Sequence, residues 1–160
     1  METKATIPSD DGKRPEAAFD DADRVYVLED QVGHLLRKAH QRATTIFQSL
    51  MEKSELTPLQ FAALVKVRDE GSVSQNSLGR LTGMDPATIM GVVQRLHKRG
   101  FIRRVADPQD KRRTRCLLTA KGLAAVEEWE KVGFVVSTEI LSPLDARERE
   151  TFLVLLSRLT

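Results

Sequence analysis

Cysteine is almost missing: Cys116 is the only one in 160 residues. One thiol cannot close an internal disulfide, and a cysteine-based zinc site needs several. Aromatic residues are scarce, 5% of the chain, with one tryptophan and one tyrosine. No apolar run approaches the roughly 20 residues that cross a bilayer as a helix. Met1 to Asp21 is polar and acidic with no apolar core, so a secretory leader is not expected. No Gly-x-Gly-x-x-Gly or Gly-Lys-Ser loop cradles a phosphate, and no His-Glu-x-x-His pair is present. His34 and His40 are six positions apart, about 240° around a helix, so they do not share a metal. Ser77, His97 and Asp85 have no recognised catalytic spacing. An enzyme is not expected, nor a metal or cofactor, and a cytoplasmic location is the simplest reading.

What is present is an ordinary globular composition, 41% hydrophobic and 30% charged. The length suits one domain or one intertwined subunit. The formal net charge of +2 hides an uneven distribution. Residues 71–115 alone carry ten basic and three acidic side chains, and every other stretch is neutral or acidic. Such a block is the electrostatic footprint of a nucleic-acid surface. Charge alone leaves a solvated basic face equally open.

Residues 1–22 are expected to be a flexible tail, broken by Pro8, Gly12 and Pro15. From Val25 to Met51 apolar residues recur at helical spacing over seven turns, and Asp20, Asp21 or Asp23 can cap the start. A stripe this long calls for a partner, most simply a second subunit. Thr57-Pro58 opens a second helix with Phe61, Leu64, Val65 and Val67 inward, and Gly71 closes it. Ser72 to Ser74 is a short extended link. Ser74 caps a third helix with Leu78 and Leu81 inward, ended by Gly83. Asp85-Pro86 opens a fourth, running to about Arg99, with Ile89, Val92, Val93 and Leu96 inward. Phe101–Ala106 and Thr114–Leu118 form a β-hairpin around a charged turn. Thr119 caps a fifth helix to about Ile140, with Leu123, Val126, Phe134 and Ile140 apolar, and Ser142-Pro143 opens a sixth.

Helix, tight turn, helix and basic hairpin together make a winged helix-turn-helix. Pro86, Ala87 and Gly91 are small, so the start of the fourth helix can enter a major groove. Thr88 and Gln94 can exchange hydrogen bonds with base edges, Arg95 can fork onto a guanine, and Lys98 adds charge at the far end. Ser74, Gln75 and Asn76 can hold a phosphate. Arg112 and Arg113 can reach a minor groove, while Arg103, Arg104 and Arg115 suit flanking phosphates.

With these residues in place, the chain resembles the MarR family of bacterial transcriptional regulators over about residues 25–160. The likeness is carried by Leu59–Leu64, Asn76–Gly83, Pro86–Thr88 through Leu96–Arg104, and the wing Asp107–Arg113 running into Leu118–Gly122. Asp110-Lys111-Arg112 is the family's Asp-x-Arg wing motif. The resemblance implies a mainly α fold with a β-hairpin wing and an interlocked helical dimerisation region. It divides the chain into a dimerisation helix over 23–56, a DNA-binding lobe over 57–118 and C-terminal dimerisation helices over 119–160. It further implies a homodimeric repressor on an inverted-repeat operator, released by a small aromatic effector, commonly a carboxylate. A general likeness extends to regulators of aromatic or N-heteroaromatic acid catabolism, such as nicotinate degradation, without a motif of its own.

By resemblance the effector pocket lies among helices one, two and five. His40 and Arg42 flank the apolar stripe of helix one and are the candidate effector-binding residues. Exposure to solvent, or pairing with dimer carboxylates, is the competing role for both. His34 points away from the stripe. Peroxide-sensing relatives place a cysteine near the start of the first helix, where none stands here. Cys116 is expected to be a small buried residue, Met84 and Met90 to pack or touch DNA sugar, and Trp129 to sit half-buried at a helix seam. An effector-independent architectural DNA-binding protein is the alternative function.

Overall fold

A computed structural model describes residues 25–52 and 56–160. The elements run α1 (Val32–Leu50), α2 (Pro58–Glu70), β1 (Val73–Ser74), α3 (Gln75–Thr82), α4 (Pro86–Lys98), β2 (Ile102–Ala106), β3 (Thr114–Leu118), α5 (Ala120–Ile140) and α6 (Ala146–Ser157). The expected tail over 1–22 lies outside the described residues, as do Asp20, Asp21 and Asp23.

Local chemistry sets most of the boundaries. Thr57 and Gln60 form a reciprocal capping box with Pro58 at the first helical position. Ser74 accepts from the Ser77 N–H, and Thr119 from the Gly122 N–H. Gly83 ends α3 in the left-handed region at φ 65°, where a Cβ would be strained.

Four expectations need correction. The first helix does not start at Val25. A single 3₁₀ turn spans Leu28–Asp30 and α1 begins at Val32, with Gln31 supplying no side-chain cap. Ser72 to Ser74 is more than a link: Val73 pairs with Cys116 and Ser74 with Arg115, so the hairpin is part of a three-stranded antiparallel sheet in the order β1-β3-β2. Leu81 faces outward, because Leu78 and Gly79 already fill the inner side of the short α3. Of the apolar positions of α5, Val126 is buried while Leu123 and Phe134 are exposed. Ser142-Pro143 sits in a turn, since the Ser142 N–H donates to Glu139 and Leu144 donates to Leu141. The sixth helix starts three residues later, at the capping box of Asp145 and Glu148.

The main core lies where α2, α3, α4 and the start of α5 close over the sheet. Leu64, Leu78, Ile89, Val93, Leu96 and Val126 are buried there. A smaller cluster of Phe47, Met51 and Val136 joins α1 to α5, with the Phe47 and Phe61 rings 6.2 Å apart. Trp129 touches both clusters, at the expected seam. Arg68 Nη1 donates to Glu130 Oε2 at 2.7 Å and ties the end of α2 to α5. Gly122 is needed for close approach: a Cβ there would lie 2.0 Å from the Phe101 carbonyl oxygen.

Large apolar side chains stay uncovered outside this lobe. Phe134 and Leu159 are each 72% exposed, and Val32, Leu35, Leu153, Val154 and Leu155 are exposed too. Helix α6 buries no residue. No helix among the described residues is long and apolar enough to cross a membrane.

Candidate nucleic-acid interface

Helix α4 packs on the core through Ile89, Val92, Val93 and Leu96. The 3.6-residue repeat then turns Ala87, Thr88, Gly91, Gln94, Arg95 and Lys98 to the outer side. Gln94, Arg95 and Lys98 are exposed, as are Pro86 and Ala87, while Thr88 and Gly91 are half-buried. The small Gly91 leaves room for a long neighbour: a Cβ built there would lie 3.4 Å from Arg95 Nη1. The guanidinium therefore reclines toward the N-terminal end of the helix, the end able to enter a groove. The Thr88 hydroxyl already donates to the Asp85 carboxylate. His97 Nδ1 lies 3.1 Å from the Ile102 carbonyl and couples α4 to β2.

The wing is organised by its acids. The Asp107 N–H donates to the Arg113 carbonyl and the Arg113 N–H to that of Asp110, closing the loop. Asp110 Oδ1 accepts from the Arg112 N–H at 3.1 Å and from Arg112 Nε at 3.2 Å. Arg113 Nε lies 3.4 Å from Asp110 Oδ2. The arginines remain accessible all the same: the Arg112 side chain is 91% exposed. Surface pairs of this kind are weak and readily traded for a phosphate.

At the base of the wing Arg115 is not free to flank a phosphate. Its Nε donates to Ser72 Oγ at 2.6 Å, its Nη1 reaches Asp107 Oδ2 at 3.3 Å, and its Nη2 donates to the Ser72 carbonyl. It braces the wing against the turn before β1. The bond from the Gln109 N–H, then that from Arg115, holds the Asp107 carboxyl below its usual range. Arg103 and Arg104 are exposed on β2.

Between the start of α3 and the wing lies a cleft of about 640 Å³, lined by Ser74, Gln75, Asn76, Arg80, Arg113 and Thr114 among others. It brings the proposed phosphate-holding residues together with a wing arginine. Arg80 belongs to the basic block, but sequence reasoning does not place it among the DNA-binding residues. Its Nη2 donates to Ser77 Oγ at 3.0 Å, and its place one helical turn beyond Asn76 is the signal that could have found it.

The effector candidates sit elsewhere. Arg42 donates to the carbonyls of Ile140 and Glu139 at 3.0 and 3.4 Å, and His40 is exposed on α1. Cys116 is buried, and burial pushes its thiol above the usual value. Met84 packs in the core, whereas Met90 is exposed. Among the described residues no His, Cys, Asp and Glu cluster could hold a metal ion.

A helix-turn-helix whose second helix has an open outer side, followed by an arginine-tipped hairpin, defines a winged helix-turn-helix DNA-binding protein. The chain belongs to the MarR family, whose model matches residues 56–114. It is 40% identical over 134 residues to the HTH-type transcriptional repressor NicR of Pseudomonas putida, covering 84% of this chain and 85% of that one. A crystal structure of a probable transcriptional regulator from Pseudomonas aeruginosa superposes with a TM-score of 0.81 at 46% identity, covering 84% of this chain and all of that one. BpsR of Bordetella bronchiseptica, whose DNA binding is regulated by 6-hydroxynicotinic acid, superposes with a TM-score of 0.81 at 36% identity, covering 85% and 97% of the two chains. The family is one of transcriptional regulators, not of enzymes.

Proposed function

We propose that the chain is a homodimeric repressor that reads an inverted-repeat operator and releases it when a small aromatic carboxylate binds. The observation that carries DNA reading is the alignment of α4, the α3–wing cleft and the exposed wing arginines on one basic lobe. In this reading Pro86, Ala87, Thr88, Gly91, Gln94 and Arg95 face base edges. Ser74, Gln75, Asn76 and Lys98 meet phosphates, and Arg112 and Arg113, set by Asp110, enter the adjoining minor groove.

The uncovered apolar residues of α1, α5 and α6 support the dimer, because many large apolar side chains left open on a free chain point to an interface. Residues 23–56 and 119–160 then form the dimerisation region around the 57–118 lobe. Two recognition helices related by a two-fold axis suit half-sites about 34–36 Å apart. The likeness to BpsR supports a hydroxynicotinate-like effector. Arg42, bonded to the end of α5, and His40, exposed on α1, are the candidates to hold its carboxylate by charge or hydrogen bond. The ligand must favour the non-binding conformer by a few kcal/mol to release DNA.

The test is a fluorescence-anisotropy titration on DNA upstream of the protein's own gene, at fixed salt, with and without a panel of aromatic and N-heteroaromatic acids. Tight, sequence-selective binding relieved by one acid is the expected result. Selective binding unmoved by every acid would overturn the effector, and equal binding to random DNA would favour an architectural role.

A further inference from the structure

Asp85 caps the start of α4, and its carboxylate takes three hydrogen bonds from the first turn. Oδ1 accepts from the backbone N–H groups of Ala87 and Thr88, both at 2.9 Å. Oδ2 accepts from the Thr88 hydroxyl. The Thr88 hydroxyl first, then the backbone bonds, hold this carboxyl below its ordinary value, so it is ionised at neutral pH. An ionised carboxylate has no proton to give. The direction of the contact is therefore settled: the hydroxyl hydrogen of Thr88 points at Asp85. What Thr88 still presents is the free lone-pair side of Oγ1 and its methyl group.

In the major groove, adenine N6 and cytosine N4 are donors and thymine shows a methyl group, whereas guanine shows only the acceptors N7 and O6. A hydroxyl already committed as a donor meets guanine acceptor against acceptor. We propose that Asp85 sets part of the base preference of α4 by holding Thr88 as an acceptor, so that guanine is disfavoured at the operator position facing Thr88. This rests on α4 being the helix that enters the groove. Asp85 acts through Thr88 and is a positioning residue, while Thr88 makes the contact.

Asp85→Asn separates the cap from the proton. Asparagine caps helices about as well as aspartate. The amide oxygen keeps both backbone bonds. The amide nitrogen, standing in for Oδ2, donates to Thr88 Oγ1 and frees the hydroxyl hydrogen to face DNA. The full-length wild-type protein, Asp85→Asn and Thr88→Val are each used to select bound sequences from a randomised duplex library, and circular dichroism verifies that all three are folded.

The expected wild-type motif has one position per half-site where guanine is depleted roughly tenfold. Asp85→Asn should restore guanine there and leave the other positions unchanged. Thr88→Val should keep thymine at that position and lose the preference for adenine and cytosine. The loss of one negative charge raises affinity for all sequences alike, so a uniform rise is separable from the position-specific effect. An Asp85→Asn motif identical to wild type at every position would overturn the proposal. So would a wild-type motif that Thr88→Val leaves untouched. Recovery of no motif by the wild type would overturn the DNA-reading role itself, and this inference with it.

Discussion

Arg42 on α1 donates to the backbone carbonyl of Ile140, 3.0 Å away at the last turn of α5. Its second amino group reaches the Glu139 carbonyl. A cation at a helix C-terminus satisfies carbonyls that have no partner within the helix and meets the negative end of the dipole. Arg42→Ala should therefore lower stability by about 1 kcal/mol, measured by urea denaturation. An unchanged midpoint would show that solvent serves those carbonyls equally well. If Arg42 also holds the effector carboxylate, the same variant loses the anisotropy response to the acid while still binding operator.

Gly122 stands where no side chain fits. A Cβ would overlap the Phe101 backbone at the junction of α4, β2 and α5, and a backbone carbonyl cannot swing aside as a side-chain end can. Gly122→Ala should cost about 3 kcal/mol or more, read as a large drop in thermal midpoint. A loss under about 1 kcal/mol would mean that the junction relaxes easily.

Acid should weaken the fold through a few identified carboxyls. The Arg68 hydrogen bond lowers the Asp69 carboxyl, and the Gln109 N–H followed by Arg115 lowers that of Asp107. A carboxyl depressed in the folded chain contributes stability that is fully present above its unfolded value of about 4 and is lost as pH falls through its folded value. Solvent screening keeps each share small. The thermal midpoint should fall below about pH 4, and less steeply in Asp107→Asn than in wild type. Parallel curves for the two proteins would remove Asp107 from the acid response.

Arg112 is exposed at the wing tip and pairs with Asp110. Arg112→Ala should weaken operator binding and reduce the slope of log K against log salt by about one. Affinities measured from low to high salt decide this. An unchanged slope and affinity would show that the wing does not dock.

Helix α6 has apolar residues on several sides and buries none of them within its own chain. If α6 lies in the proposed subunit interface, Leu155→Asp should place a charge there and shift the sedimentation mass from dimer to monomer. Operator affinity should fall with it, since two linked half-site contacts become one. A variant that sediments as a dimer would move the interface away from Leu155.

Much of this was legible because it is local. Thr57-Pro58, Ser74, Asp85-Pro86 and Thr119 place helix starts, since a cap needs only residues two or three positions on. Ile89, Val92, Val93 and Leu96 identify the inner side of α4 and, by elimination, the outer one. The charge block over 71–115 and the wing motif need no structure at all. Even local signals can compete: Ser142-Pro143 looked like a helix start, but the capping box of Asp145 and Glu148 took the role.

What the tertiary structure decided depends on residues far apart in sequence. Val73–Ser74 is a strand only because Arg115 and Cys116 return beside it. Leu81 fits a helical stripe yet is exposed, because burial depends on which neighbours arrive and not on the stripe alone. Arg115 looks like any other cation of the basic block until Ser72 and Asp107 are found around its guanidinium. Sequence by itself determined the order of the helices and the hairpin, the outer side of α4 and the sign of its surface. Only the folded chain decided which cations are braces and which remain open to DNA, because that depends on through-space partners that no periodicity encodes.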